Sequence, residues 1–350
     1  MDRKDLGGVV SPQTASGISP ASLLRAREGL ILHQALCAVA KLGIADLVEG
    51  HPRATAELAS ELNVNESALY RTLRLLASQG IFEETAPHTF RNTELSCFLR
   101  TGVPGSLRAS FIFFGSEFYY PCFGEILYSI QTGEPSRTKL AGMNGFEYLR
   151  HKPELARIFD DAMTSLSDLV GPAIAAAYDF GAWGSLMDVG GGNGVLLSHI
   201  LRAHPALRGV LADQPYALER ARKRGFLGGA LEARATMEVC DFFQGIPGGC
   251  RAYLMKSVIH DWDDEQSRTI LSHCRKAIRQ DGALLLVELV LPEENLPAMG
   301  KFTDVVMLVL TGGRERTSKE YSELLASTGF RLDRVVPTTA EFAVIEARPV

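Results

Sequence analysis

The chain has 350 residues, 46% of them hydrophobic and 22% charged, with a formal net charge of −5 at pH 7. That length exceeds what one hydrophobic core usually serves, so a main domain plus a smaller one is expected. The composition excludes a disordered chain, a collagen and a disulfide scaffold, and the acidic balance argues against nucleic-acid and membrane partners and for a small molecule.

Residues 1–18 lack periodicity and are rich in turn formers, which predicts a flexible tail. No apolar run reaches the roughly 18 residues that span a bilayer, and the N-terminus has no secretory core, so a cytoplasmic protein is expected. The six cysteines, Cys37, Cys97, Cys122, Cys240, Cys250 and Cys274, include no C-x-x-C pair. Reduced, mostly buried thiols are expected.

From Ser19 to Gly43, apolar residues recur at helical spacing on more than one side, a pattern that needs cover on two faces. A partner subunit would supply it. Residues 55–80 predict two short helices, with Thr55 and Asn65 as N-caps and Gly80 as the stop. The segment IFEETAPHTFRNTELSCFL then predicts a hairpin and another helix, the outline of a winged helix-turn-helix over residues 19–105. Its would-be recognition helix offers only Arg71 and Arg74 as cations, so a packing or dimerising scaffold is favoured over a DNA-binding regulator. Residues 106–170 read as helical and unusually aromatic, a composition that suits either core or a ligand pocket.

After about residue 170, short apolar runs alternate with helical segments, which argues a doubly wound parallel sheet, an α/β fold of Rossmann type. The closing FRLDRVVPTTAEFAVIEARP predicts a hairpin and hence an antiparallel last strand. The stretch Asp188-Val189-Gly190-Gly191-Gly192-Asn193-Gly194 lies between a strand and a helix, where such a fold has its nucleotide crevice. The dinucleotide fingerprint needs a glycine where Val195 stands, which counts against the alternative of an NAD-dependent oxidoreductase. Asp188, Gly190 and Gly192, Asp213 at the next strand end, and Asp241-Phe242 at the third describe a site for adenosine without a diphosphate. An acidic rim suits a cation, and S-adenosylmethionine combines a nucleoside with a sulfonium.

The strings LYRTLRLLASQGIF, GFEYLRHKPELARIFDDAMTSLS, DVGGGNG, IHDWDDEQ and GGRERTSKEYSELLASTGF span nearly the whole chain. As a set they resemble the class I S-adenosylmethionine-dependent O-methyltransferases of the plant caffeate and bacterial polyketide type. The resemblance implies a methyltransferase domain over 171–350, a winged-helix part that makes a homodimer, a hydroxylated aromatic acceptor and no metal. It also implies His260 as general base, Glu288 and Glu315 flanking it, Lys256 beside the cofactor, and Phe159, Met163 and Met307 at the acceptor. A phenol with pKa near 10 attacks far better as phenolate, and imidazole can take its proton as the bond forms. Asp261 is expected to cap the following helix, and Trp262 to pack.

Overall fold

A computed structural model describes residues 20–350, and the expected tail over 1–18 lies outside the described residues. Contacts divide the chain between Thr101 and Gly102 into two compact units.

In the first unit, the helix Pro20–Leu42 ends where Gly43 turns left-handed at φ 70°. Val39 and Ala40 on this helix are buried, while Leu23, Leu24, Leu30 and Ile31 are exposed, Leu23 at 81%. Helices Thr55–Leu62 and Glu66–Ser78 pack on each other and bury Leu58, Leu69, Leu73 and Leu76. Asn65 caps the second as expected, its Oδ1 accepting from the Ala68 N–H at 2.9 Å. Thr55 does not cap the first. Its hydroxyl donates instead to the His88 carbonyl at 2.9 Å and ties the helix to the hairpin tip. Strands Phe82–Ala86 and Thr89–Asn92 form that hairpin, and Arg53–Ala54 adds a third antiparallel strand against the second.

The second unit is built on a seven-stranded sheet of β1 (Ser185–Val189), β2 (Arg208–Asp213), β3 (Ala235–Val239), β4 (Ala252–Lys256), β5 (Ala283–Glu288), β6 (Phe330–Pro337) and β7 (Ala343–Pro349). Their order is β6-β7-β5-β4-β1-β2-β3. Strands β1 to β5 pair in parallel, and β7 runs antiparallel to both β5 and β6. Every residue of β5 is buried, as a strand covered by helices on both faces must be.

Strand alternation sorts the core into two layers. Leu186, Leu211, Leu254, Leu285 and Val287 enter one, and Met187, Ala212, Tyr253, Met255, Leu284 and Leu286 the other. The same period of two puts Asp188, Asp213 and Lys256 on one face and Glu288 on the opposite face.

Five short helices lie between Arg108 and Arg150, followed by the long helix Pro153–Ala177. The aromatic segment forms its own core around Phe113, Phe118, Leu149 and Leu155, joined by Val309 and Leu310 of the helix Met299–Leu310. All six cysteines are free and five are buried. Among the described residues no helix is long and apolar enough to cross a membrane.

Candidate active site

At the end of β1 the chain turns through the glycine loop, and the Gly190 N–H donates to the Ala212 carbonyl of β2 at 2.8 Å. Gly190 and Gly192 have φ of 71° and 59°, a region L side chains rarely adopt. The Gly192 N–H donates to Asp213 Oδ2 at 2.8 Å, and the Gln214 N–H to Oδ1 at 2.7 Å. Burial raises the Asp213 pKa, and these two donors oppose it. Asp188 is 1% exposed and its Oδ2 has no hydrogen-bond partner. Burial first, then the Asp213 charge, lifts its pKa to about 7 against the pull of Lys256.

A β-carbon at Gly191 would sit 2.5 Å from that Oδ2 and from Leu211 Cδ1, so this third glycine is required by close approach. A β-carbon at Gly190 would lie 3.6 Å from Phe242 Cε1, which places the Phe242 ring against the loop. Asp241 is engaged by its own turn, where Oδ1 accepts from the Phe243 N–H at 3.0 Å. Three consecutive glycines, an aromatic wall and a buried carboxylate with an open oxygen fit a nucleoside that carries a positive charge and no phosphate.

The second cluster follows the neighbouring strand β4 at the same edge of the sheet. After β4, Ser257 adopts φ 52° and the chain makes a short 3-10 turn, Ile259–Asp261. His260 Nδ1 is 2.7 Å from Glu315 Oε1 and 3.9 Å from Glu288 Oε2, and Nε2 is 3.9 Å from Asp261 Oδ1. Glu288 is fully buried, and its Oε1 accepts from the N–H groups of Val258 at 3.3 Å and Ile259 at 3.1 Å. It therefore holds the turn's backbone, while Glu315 holds the ring.

Burial by itself would depress the His260 pKa, but the carboxylates of Glu288, Asp261 and Glu315 outweigh it and lift the value to about 9. Burial raises Glu288 to about 7 and Asp261 to about 6. The ligand atoms of His260, Glu288 and Glu315 lie within 4.8 Å of one another, a spacing a metal ion could use. The 2.7 Å contact from Nδ1 to Glu315 has the length of a charge-assisted hydrogen bond.

Asp261 does not cap the next helix as expected. Asp263 does, accepting from the Gln266 N–H at 2.8 Å, because the 3-10 turn directs Asp261 toward the imidazole. Lys256 joins the two clusters. Its Nζ donates to Ser167 Oγ at 3.3 Å and Ser257 Oγ at 3.4 Å; burial lowers its pKa, against Glu288, Asp188 and Asp261.

Phe159 and Met163 lie half-buried on the helix Pro153–Ala177 within the aromatic cluster. Phe159 meets Phe113 edge-on at 5.4 Å and Phe146 at 6.5 Å, and Phe146 stacks on Trp262 at 5.4 Å, two residues beyond His260. Met307 is buried on the helix Met299–Leu310, where Thr311 Oγ1 lies 3.6 Å from its sulfur. Sequence reasoning passed over Asn193, whose side chain donates to Thr164 Oγ1 at 2.8 Å and ties the glycine loop to the helix carrying Phe159. It also passed over Asp160, 2.6 Å from Arg220. A non-glycine inside the glycine loop was the available signal for Asn193; Asp160 had none.

The family model described as the O-methyltransferase domain matches residues 124–331, and that of the O-methyltransferase dimerisation domain matches residues 24–102. The chain is 42% identical to the phenazine O-methyltransferase PhzM of Lysobacter antibioticus over 96% of this chain and 98% of that one. It is 31% identical to a phenazine-1-carboxylate N-methyltransferase of Pseudomonas aeruginosa, over 88% and 90% of the two chains. The solved structure of the O-methyltransferase NcsB1 from neocarzinostatin biosynthesis, in complex with S-adenosylmethionine and 2-hydroxy-5-methyl naphthoic acid, superposes with a TM-score of 0.81. It is 32% identical, over 96% of this chain and 100% of that one. With its glycine loop, its sheet order and both domain matches in place, the chain belongs to this O-methyltransferase family and is an S-adenosylmethionine-dependent methyltransferase.

Proposed function

We propose that the chain methylates a hydroxyl of a flat aromatic small molecule, with His260 as general base. S-adenosylmethionine supplies an electrophilic methyl group on a sulfonium. The single observation that carries the hydroxyl reading is the 2.7 Å contact between His260 Nδ1 and buried Glu315. A carboxylate on Nδ1 fixes the tautomer and leaves Nε2 to accept a proton. A phenol needs that service, whereas an aromatic ring nitrogen presents its lone pair without it, so this cluster favours oxygen over the nitrogen acceptor named for the Pseudomonas relative.

The carboxylates around His260 keep its ring protonated below about pH 9 in the free protein. A cation admitted to the same pocket pushes that value down by like-charge repulsion and brings neutral imidazole toward working pH. On the other face, each Asp213 oxygen already accepts one N–H and keeps a lone pair for a ribose hydroxyl. Phe242 backs the adenine, Asp241 meets its exocyclic amine, and Gly190 and Gly192 let the backbone approach. Asp188 and Lys256 set the charge balance there. Phe159, Met163 and Met307 wall the acceptor, and the phenazine relative supports a fused aromatic.

Residues 19–105 form the dimerisation part, 106–170 the acceptor segment and 171–350 the cofactor domain. The exposed leucines of the helix Pro20–Leu42 make it the homodimer contact. The test is a panel of hydroxylated phenazines, naphthoates and simple phenols, scored by a one-methyl mass gain. His260→Ala should lower turnover by about 10²–10⁴ while S-adenosylhomocysteine binds as before. Full turnover in that variant, or methylation only at ring nitrogen, would refute the reading.

A further inference from the structure

We propose that Arg316 is a positioning residue for His260, clamping the backbone on both sides of it so that Glu315 can hold the ring. The inference rests on His260 being the base.

Arg316 is 1% exposed, the largest fully buried side chain among the described residues. A buried cation is costly unless every donor finds a partner. Here Nη1 donates to the Ile259 carbonyl at 3.3 Å and to the Arg314 carbonyl at 3.2 Å. Nη2 donates to the Trp262 carbonyl at 3.1 Å, to Asp264 Oδ1 at 2.8 Å and to Ser267 Oγ at 3.4 Å. Nε donates to the same Asp264 oxygen at 3.2 Å. One planar fork thus spans the carbonyls immediately before and shortly after His260.

The neighbouring residues complete the clamp. The Arg314 N–H donates to the His260 carbonyl at 2.8 Å. A β-carbon at Gly313 would lie 2.0 Å from that carbonyl oxygen and 2.6 Å from the Trp262 nitrogen, so only glycine lets the two segments approach this closely. Residues 313–316 therefore hold the carbonyls of Ile259, His260 and Trp262, and the same four residues deliver Glu315 to Nδ1.

The holding segment is itself anchored. The Glu315 N–H donates to Asp304 Oδ1 at 2.9 Å, and Arg316-Thr317 pairs in parallel with Val290-Leu291. Immediately afterwards Thr317 and Glu320 form a capping box at the head of the helix Ser318–Ala326. The held segment, by contrast, is one 3-10 turn after a left-handed serine, with no side-chain cap at its start. A lysine at 316 would keep the charge but could not span two carbonyls and a carboxylate.

The test compares wild type, Arg316→Lys, Glu315→Gln and Asp264→Asn in the full chain. It reads S-adenosylhomocysteine affinity, the pH profile of kcat and the NMR titration of the His260 imidazole, assigned with His260→Ala. Arg316→Lys should bind S-adenosylhomocysteine as wild type does and lose about 10- to 100-fold in kcat, the scale expected for a misplaced group. Its imidazole titration should move to lower pH in the sense of Glu315→Gln, because the carboxylate no longer sits on Nδ1. A wild-type titration and pH profile in Arg316→Lys, whatever its melting temperature, would overturn the proposal. Should that variant fail to fold, Asp264→Asn, altered at the more exposed end of the pair, should move the titration less but the same way; no movement would overturn the proposal equally. If His260→Ala proves fully active, the base reading fails, while the titration still decides whether Arg316 sets the ring.

Discussion

On the β1–β2 side of the sheet edge, Asp213 has both oxygens on backbone N–H groups and Asp188 keeps an open oxygen beside three consecutive glycines. On the β4–β5 side, Glu288 and Glu315 surround an imidazole, and each reserves an oxygen without a hydrogen-bond partner. Both clusters put carboxylates out of water, where a charge needs compensation. The second already contains its cation in protonated His260. The first has Lys256, shared with Glu288 and Asp261, and Arg220, already paired with Asp160, and so favours a cationic ligand. On the proposed reading, the difference separates a binding half, which awaits charge from outside, from a proton-handling half, whose charges lie within the chain.

The sharpest way to break that division is to weaken each half and ask which constant moves. Glu315→Gln, on the proton-handling side, should lower kcat by about 10- to 100-fold, within the range general-base catalysis supplies, with the cofactor Kd nearly constant. Removing the carboxylate also lowers the His260 pKa, so the rising limb of the pH profile should shift to lower pH. Asp213→Asn, on the binding side, should raise the Kd for S-adenosylhomocysteine by about tenfold to a hundredfold, as for loss of about 1.5–3 kcal/mol of charge-assisted hydrogen bonding. If Asp213→Asn changed kcat alone, the halves would not be separate.

The pH dependence of stability sharpens the same contrast. Asp188 and Glu288, each raised to about 7, favour the protonated folded state, so their cost is absent at low pH and accumulates as pH rises from about 4 to 7. His260, raised to about 9, stabilises the fold below its unfolded value of about 6.5, and that contribution is lost as pH rises through 9. On their account, denaturant melts at about pH 5, 7 and 9 should show stability falling with pH. Asp188→Asn should flatten the lower interval and His260→Ala the upper one; a stability that climbs through both would contradict the assigned shifts. The smallest effect is expected in the first unit, which contributes no residue to either cluster. Asn65→Ala removes an N-cap in the first unit and should cost about 1 kcal/mol in stability without moving kcat or Kd.

Much of this architecture was legible in the residues. The glycine loop, the strand-end acids and the closing hairpin announced themselves because each is a local pattern: a turn that needs glycine, a carboxylate where an apolar run stops, two strands joined by a short connection. Thr55 and Asp261 were misjudged for the same reason. A threonine or aspartate before a helical run reads as a cap, and only packing decides whether a distant carbonyl or an imidazole claims it first. The positioning role proposed for Arg316 was invisible because all its partners but the Arg314 carbonyl lie 49 to 57 positions away in sequence, and an arginine in GGRERT reads as surface charge.

Short-range periodicity and turn chemistry were enough to set the elements, their alternation and the place of the nucleotide crevice, and the reaction class came from the family resemblance that the motifs carry. Tertiary structure decided the division of labour among the acids. Alternation along a strand assigns each side chain a face, but only the strand order, with β4 between β1 and β5, sets Lys256 between Asp188 and Glu288 and brings residues 313–316 onto the turn that carries His260. Charge compensation in a buried site depends on distances of a few ångströms across the fold, and no local pattern encodes those.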